Sequence, residues 1–340
     1  MDARAALVRP TEHGLWCEAG GFHIDPCRPV DRALITHAHA DHARPGSRHY
    51  LGAADGRALL RRRLGGDARV EGIGWGEHRR IGDVSVSFHP AGHVLGSAQV
   101  RIEHRGEVWV VSGDYKRDPD PTCRAFEPVR CDTFVTEATF ALPAYVWPPA
   151  RDVAADILGW WRANRDAGRP SVLFCYALGK AQRVLAELAR LTDDVVYAHG
   201  AIVPLARLYR QAGVAMLPIE SVDLRRRRAW DGELVIAPPG AAGTPWMRRF
   251  RGALTGFCSG WMRVRGNRRR RGYDRGFVLS DHADWPGLLA TVRDTGAPRV
   301  LAMHGRDDAL VRYLREQGLD AQSLATAFTG ERPDATAPPG

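Results

Sequence analysis

The sequence predicts an α/β protein, and three stretches with different patterns carry this prediction. Short apolar strands separated by glycine fill the first third of the 340 residues. Strand-like and helix-like segments then alternate, which is the pattern of a parallel α/β unit. Further on, the chain returns to the order strand, loop, helix. A chain of this length is long enough for two domains.

The strands of the first third matter because polar side chains stand at their ends. Apolar segments bounded by turn residues predict strands at 32–36, 84–88, 108–111 and 133–136. His37, Asp114 and Glu137 stand at or near the C-terminal ends of three of these strands. Because loops after strand ends are where open sheets collect their chemistry, these three residues are candidate site residues.

The middle of the chain has a different character. Helices are predicted at 153–165, 180–191 and 202–211, with strands at 171–175 and 194–197. The proline-rich stretch 143–149 is a plausible linker into this part. Beyond it we expect a strand at 276–280, a helix from about Pro286, a strand at 299–303 that runs into His304, and a disordered tail at 331–340.

Composition limits the partners and the location that we expect. A net charge of +9 favours a polyanionic partner, although nearly all of the basic residues are arginines, and such a bias can follow genome composition. The six cysteines form no C-x-x-C pair and predict reduced thiols. No apolar run of about 18 residues and no signal-like N-terminus are present, so we expect a cytoplasmic protein without a membrane partner.

Four side chains that can bind metals lie within six residues, directly after the first predicted strand. They are His37, His39, Asp41 and His42. Imidazole and carboxylate groups suit Zn²⁺, Mn²⁺ or Fe²⁺. The alternative interpretation is a solvated loop that is rich in histidine. The apolar strand before the cluster and the small alanines within it favour a metal site.

Three more residues extend this candidate site, and each also has an ordinary interpretation. His93 is flanked by glycines, which let the backbone approach closely around one imidazole, but it could be a loop histidine. Asp114 could be a turn or helix-capping aspartate. His304 could be a buried, hydrogen-bonded histidine.

The order of these residues resembles a known family. Asp25, the H-x-H-x-D-H segment 37–42, His93 and Asp114 resemble the four opening motifs of the metallo-β-lactamase fold. Glu137, His282 and His304 resemble the three additional motifs of the β-CASP nucleases, which include messenger-RNA 3′-end cleavage factors, ribonuclease J and DNA-repair nucleases related to Artemis. The bacterial ligase-associated DNA exonucleases are the most similar branch, and segment 177–182 also resembles that branch.

The resemblance implies an αββα metallo-β-lactamase domain with an inserted parallel α/β β-CASP domain. The first domain would comprise 1–147 and 266–330, and the inserted domain 148–265. One metal ion would be held by His37, His39 and His93, and a second by Asp41, His42 and His304. Asp114 would bridge both ions, and Asp25 would orient ligands.

The resemblance also implies the chemistry. Two divalent ions, Zn²⁺ or Mn²⁺, about 3.5–4 Å apart would generate a hydroxide that attacks phosphorus and would neutralise the phosphate oxygens. His282 would be the general acid, and Glu137 would fix its tautomer. We therefore expect an exonuclease that acts 3′→5′ on single-stranded DNA in repair, with a DNA ligase or helicase of the same pathway as a partner.

The residues that grip the substrate are harder to identify from the sequence. The arginine run Arg268, Arg269, Arg270 and Arg271 precedes His282 by a short stretch and is the preferred strand contact. Lys180 opens a predicted helix after a glycine, so it could bind phosphate or simply begin a helix. The runs 61–63 and 225–228 could be solvated surface instead.

Three alternatives to a DNA exonuclease remain open. An RNA-processing ribonuclease is the first, since His304 is the residue that RNA-acting members of the family carry at this position. A small-molecule hydrolase on the same fold is the second, although such enzymes lack the inserted segment. An inactive subunit that only binds nucleic acid is the third, although this chain keeps all the motif residues.

Overall fold

The computed structural model describes residues 6–222, 229–264 and 272–325. These residues form two compact units. The first unit comprises the described residues up to Pro143 and from His282 onward, and the second those from Ala144 to Asp281. The sequence predicted domain boundaries at 147/148 and 265/266, whereas the second unit extends to Asp281, 16 residues beyond the second predicted boundary. The predicted tail, 331–340, lies outside the described residues. Within the described ranges, no helix is both long and apolar enough to cross a membrane.

The first unit contains two sheets. The first sheet has the strand order β1-β2-β3-β4-β5-β6. Its strands are β1 (Arg9–Thr11), β2 (Gly14–Cys17), β3 (Phe22–Ile24), β4 (Arg32–Leu34), β5 (His49–Ala53) and β6 (Val70–Ile73). The second sheet is made of β7 (Arg79–Ile81), β8 (Val84–Pro90), β9 (Ala98–His104), β10 (Glu107–Val111), β11 (Thr133–Ala138), β18 (Arg299–Gly305) and β19 (Asp320–Ser323). Its order is β19-β18-β11-β10-β9-β8-β7.

Apolar side chains of both sheets share one core, which places the sheets face to face. Leu34 and Leu51 of the first sheet belong to the same buried cluster as Phe88 and Val135 of the second. Three helices complete the unit: α1 (Arg57–Leu64), α5 (Trp285–Thr295) and α6 (Asp308–Glu316). Helices α5 and α6 share a separate core with β10, β11 and β18 of the second sheet. The predicted α/β sandwich is therefore confirmed.

Three neighbouring strands of the second sheet run parallel and end at the same edge. In the order β18-β11-β10, each pair is parallel, and Glu137 of β11 lies opposite Met303 of β18. Asp114 follows β10, Glu137 lies near the end of β11, and His304 lies near the end of β18. Side chains that are distant in sequence are therefore delivered to one edge, as the strand-end pattern predicted.

The second unit is a parallel α/β domain, as the alternating pattern predicted. Its sheet has the order β14-β13-β15-β12-β16-β17, and all of its strand pairs are parallel. The strands are β12 (Ser171–Phe174), β13 (Val196–Ala198), β14 (Ile219–Ser221), β15 (Leu234–Ala237), β16 (Leu254–Cys258) and β17 (Arg275–Phe277). The helices are α2 (Ala150–Asp166), α3 (Lys180–Leu188) and α4 (Val203–Gln211).

Candidate metal centre

The histidine-rich segment forms a tight loop directly after β4. Ile35 still donates its backbone N–H to the Leu51 carbonyl at 2.8 Å, so the segment enters the loop from the sheet. The loop then forms a turn, in which the His39 carbonyl accepts hydrogen bonds from the backbone N–H groups of His42 at 3.2 Å and Ala43 at 2.8 Å. His37 and His42 are buried, and His39 is half-buried. The chain direction is thus fixed around the candidate ligands.

His93 lies in the turn that joins β8 to β9. The Ser97 hydroxyl accepts from the backbone N–H of His93 at 3.0 Å and of Val94 at 3.1 Å, which holds the turn. Gly92 has φ of +73°, and a Cβ at this position would lie 2.4 Å from the Lys116 carbonyl oxygen. Only glycine tolerates both the positive φ and this close approach, as the flanking glycines of the sequence suggested.

The carboxylate of Asp114 lies at the centre of four imidazoles. Its Oδ2 is 3.5 Å from His37 Nε2, 3.3 Å from His42 Nε2 and 3.8 Å from His93 Nε2. Its Oδ1 is 3.9 Å from His304 Nδ1. A carboxylate in this position can offer an oxygen to each of two neighbouring ions.

The donor atoms fit divalent cations. Among the described residues, three groups with mutually close donors share Asp114. One consists of Asp114, Glu137 and His282; the other two are His37, His39, His93 and Asp114, and His42, Asp114 and His304. His39 Nδ1 lies 3.0 Å from His37 Nε2 and 3.1 Å from His93 Nε2. Ligand atoms about 2.1 Å from a tetrahedral Zn²⁺ are separated by about 3.4 Å, so these separations suit one ion. Asp41, expected at the second ion, does not belong to any of these groups.

Asp25 holds one of the ligands from behind. Its Oδ2 lies 2.7 Å from His42 Nδ1, which leaves Nε2 of the same ring facing Asp114. Thr36 contacts both carboxylate oxygens, with its backbone N–H on Oδ1 at 2.8 Å and its hydroxyl on Oδ2 at 2.5 Å. Asp25 adopts φ of +44°, a strained conformation of the kind that clusters at functional sites. A carboxylate behind a ligating histidine fixes the tautomer of the ring and raises its basicity.

Burial and charge set the protonation of the cluster in the metal-free chain. Burial and the neighbouring His42 lower the pKa of His37 well below its usual value, so His37 is neutral and has a free lone pair. Although burial opposes it, Asp114 and Asp25 raise the pKa of His42 well above its usual value. Burial also opposes ionisation of Asp114, yet the charge on His42 holds its pKa well below the usual range. A proton on His42 therefore supplies the positive charge beside Asp114 that a bound metal cation would supply in its place.

Glu137 and His282 form a second buried pair beside these donors. His282 Nδ1 lies 2.9 Å from Glu137 Oε2 and 3.1 Å from Oε1. The backbone N–H of Tyr115 donates to Glu137 Oε1 at 2.7 Å, which fixes the carboxylate. The His282 ring centroid is 4.7 Å from that of His93. The structure thus brings the predicted acid and its orienting carboxylate to the metal donors.

Comparisons with known proteins bear on the identity of this site. No protein-family model matches the chain. A protein of Opitutus terrae named "Probable DNA ligase" is 34% identical over 316 residues, which are 92% of this chain and 30% of that protein. A ribonuclease of Thermus thermophilus is 28% identical over 57% of this chain and 49% of its own length. The chain belongs to the metallo-β-lactamase, β-CASP nuclease family. It spans less than half the length of both these curated relatives.

A solved structure supports the fold of this β-CASP chain. A protein of unknown function from Enterococcus faecalis aligns with a TM-score of 0.57 over 81% of this chain and 76% of its own. The two sequences are 13% identical, so the likeness concerns the fold alone.

The residues of this β-CASP chain that were predicted to contact substrate lie in different parts of the molecule. Lys180 is buried in the second unit, with its ammonium 2.8 Å from Asp281 Oδ2. The runs 268–271 and 225–228 lie outside the described residues. The run 61–63 lies on α1 with exposed side chains. Arg63 Nε donates at 3.2 Å to the carbonyl of Ala38, which lies in the histidine-rich loop after β4, called the metal loop (36–43).

Sequence reasoning missed three residues that shape the site. Arg63 was seen only as part of a basic run, and its contact with the metal loop has no sequence signal. Thr36 immediately precedes the predicted ligand His37, and Ser97 follows the predicted ligand His93 by four residues. A hydroxyl residue beside a ligand is the signal that could have indicated their hydrogen bonds.

Proposed function

We propose that this chain is a two-metal phosphodiesterase that removes nucleotides from the 3′ ends of single-stranded DNA during repair. The observation that carries the proposal is the position of Asp114, which is shared by the donor group of His37, His39 and His93 and by that of His42 and His304, beside the Glu137–His282 pair. Membership of the β-CASP family supports a phosphodiester as the substrate. The cytoplasm, expected from the sequence, is the location that we propose.

The donors divide between two cations. His37, His39 and His93 would hold one, and His42 and His304 the other, with Asp41 added from the sequence motif. Asp114 would reach both, and Asp25 keeps His42 aligned through the 2.7 Å contact. Bound Zn²⁺ or Mn²⁺ supplies an activated water and neutralises charge on the phosphate oxygens.

His282 provides the proton that the leaving sugar oxygen needs. Glu137 accepts the Nδ1 proton of His282, so Nε2 is the atom from which a second proton can be transferred. The buried carboxylate also stabilises the imidazolium form before the transfer. After the P–O bond breaks, the neutral imidazole remains in place because Glu137 still holds its Nδ1.

DNA is preferred over RNA because of how much of the chain each relative matches. The protein named a DNA ligase matches 92% of this chain, whereas the ribonuclease matches 57% at lower identity. The net charge of +9 suits either polyanion. The name of the second relative keeps RNA processing as the second candidate. A DNA ligase as a partner rests on the first name alone, and a helicase rests only on the resemblance found in the sequence.

Digestion of end-labelled strands tests the proposal. Single-stranded DNA and RNA of the same sequence, labelled at either end, are incubated with Zn²⁺, Mn²⁺ or no metal. We expect release of labelled mononucleotide first from 3′-labelled DNA, only with metal, and not with His282→Ala. Faster digestion of the RNA would replace DNA as the substrate, and internal cuts would replace exonuclease by endonuclease activity.

A further inference from the structure

Three charged side chains are buried together in the second unit. Lys180, Arg183 and Asp281 have side chains that are 4%, 3% and 5% exposed. Lys180 Nζ lies 2.8 Å from Asp281 Oδ2, and Arg183 Nη1 lies 3.5 Å from Oδ1. Arg183 Nη1 also donates to the Ser280 carbonyl oxygen. Two basic side chains therefore hold one carboxylate and the backbone next to it.

The two cations are presented by one face of α3. Lys180 and Arg183 are its first and fourth residues, and residues three apart lie on the same side of a helix. Gly179 precedes the helix with φ of +84°, and its backbone N–H donates to Gln182 Oε1 at 2.7 Å. Gln182 also donates to the Ala177 carbonyl at 3.0 Å. These hydrogen bonds fix the start of α3 independently of the contacts that Lys180 and Arg183 make with Asp281.

Stability alone is a weak reason for such a cluster. Burying charges requires their desolvation, and well-packed apolar residues in place of a buried ion pair are often as stable or more stable. A role as a direct phosphate contact does not fit Lys180 either, because its side chain is 4% exposed and its ammonium contacts Asp281. What the cluster does fix is the backbone at Ser280 and Asp281.

That backbone leads directly into His282. On the other side of His282, the Ala283 N–H donates to the Tyr115 carbonyl at 2.7 Å. Asp284 then caps α5 by accepting from the Gly287 N–H at 2.9 Å. The segment that carries His282 is consequently anchored on both sides, and its ring is held by Glu137 as described above.

We infer that Lys180 and Arg183 are positioning residues for His282, and that they act through Asp281 and the Ser280 carbonyl. The inference rests on the proposed role of His282 as the proton donor. Proton transfer needs the donor within hydrogen-bond reach of the leaving oxygen, and a misplacement of about 1 Å can lower the rate about 100-fold. Loss of either cation frees the backbone that precedes His282, while the metal donors keep their own contacts.

The leaving group separates this role from a purely structural one. A sugar oxygen departs as an alcohol and needs a proton from the acid. A p-nitrophenolate departs without one, so a misplaced His282 has little effect on hydrolysis of a p-nitrophenyl ester. The p-nitrophenyl ester of thymidine 5′-monophosphate keeps the phosphodiester and one nucleoside, and it is therefore the matched probe.

The experiment compares Lys180→Met with the wild-type enzyme on single-stranded DNA and on this ester, with Mn²⁺ present. On DNA we expect kcat to fall about 10- to 100-fold with KM unchanged, and on the ester we expect little change. Lys180→Arg, which keeps a cation able to reach Asp281, should recover most of the DNA activity. Arg190→Met removes an exposed arginine two residues beyond α3 and should leave both activities unchanged.

Other results overturn the inference. Equal losses on DNA and on the ester would make the cluster structural, and a raised KM on DNA at unchanged kcat would make Lys180 a substrate contact. If Lys180→Met does not fold by circular dichroism, Lys180→Met/Asp281→Asn, which removes both charges of the pair, is measured by the same criterion. When His282→Ala shows the leaving-group pattern and the Lys180 variant does not, only the present inference fails. When His282→Ala lacks the pattern, the proposed acid fails too.

Discussion

Two buried aspartates, Asp114 and Asp281, have opposite surroundings. Asp114 is 6% exposed and faces imidazoles, including those of His37 and His42. Asp281 is 4% exposed and faces the cations Lys180 and Arg183. Both carboxylates lie where an uncompensated charge would be very unfavourable.

The charges of the two carboxylates are balanced in different ways. The chain itself balances Asp281, with the ammonium group of Lys180 and the guanidinium group of Arg183. Around Asp114 the chain supplies imidazoles, which ligate as neutral rings, and the pKa of Asp114 is held down by a proton on His42. That proton must leave before His42 binds a metal. The surroundings of Asp281 fix a backbone segment, whereas those of Asp114 require a cation from outside the chain.

Removing the metal cations should have the largest effect on activity, because Asp114 requires a cation from outside the chain and Asp281 does not. Treatment with a chelator should lower nuclease activity by about 10³-fold or more, since the metals supply several kcal/mol of transition-state stabilisation. Re-addition of Zn²⁺ or Mn²⁺ should restore it. Asp114→Asn should stay inactive on re-addition and bind less metal by elemental analysis. Full activity of Asp114→Asn would contradict the assignment of Asp114 to both ions.

Removing the acid should have the next largest effect, while the metals stay bound. His282→Ala should lower kcat on DNA about 10²- to 10⁴-fold, because the leaving oxygen then departs without a positioned proton donor. Metal content, measured by elemental analysis, should equal that of the wild type. Loss of both ions from this variant would instead make His282 a ligand, as the group formed by Asp114, Glu137 and His282 would allow.

Much of this site could be predicted from the sequence, because its residues follow strands. The apolar segments alone placed His37, Asp114, Glu137 and His304 at strand ends as candidates. Parallel pairing of β10, β11 and β18 explains why three of them meet. The pairing of Glu137 with His282, 145 residues away, came from the family resemblance. Hydrophobic periodicity carries no information about contacts that distant.

The remainder was missed for definable reasons. Helix α1, with the sequence Arg-Ala-Leu-Leu-Arg-Arg-Arg-Leu, was interpreted only as a basic run because its arginines hide a buried stripe that includes Leu60. Lys180 was weighed as a phosphate contact because it begins a helix after a glycine. Its partner, Asp281, lies 101 positions further on in a motif that was used only for His282. A charge on a helix start does not indicate which tertiary neighbour will pair with it.

Weakening the support of one ligand should have a smaller effect than removing the ligand. Asp25→Asn keeps the size of the side chain but removes the charge that faces His42 Nδ1 at 2.7 Å. We expect metal affinity to fall about 10- to 100-fold, measured by competition with a chromogenic chelator. Asp31→Asn, which changes an exposed carboxylate of the same unit, is the matched control and should leave affinity unchanged. Equal affinities for the two variants would remove Asp25 from the site.

The smallest expected effect is on thermal stability, and it tests the comparison of the two aspartates directly. Cations at about ten times their Kd should stabilise the unit that binds them by about 1.4 kcal/mol, which shifts its melting temperature by a few degrees. Since the donors all belong to the first unit, only one transition in calorimetry should move with metal. In Asp114→Asn this shift should disappear.

Asp281→Asn should lower the melting temperature of the second unit equally with and without metal, because breaking a buried pair leaves Lys180 and Arg183 with an uncompensated charge. A metal-dependent effect of Asp281→Asn would mean that the two carboxylates are not balanced independently.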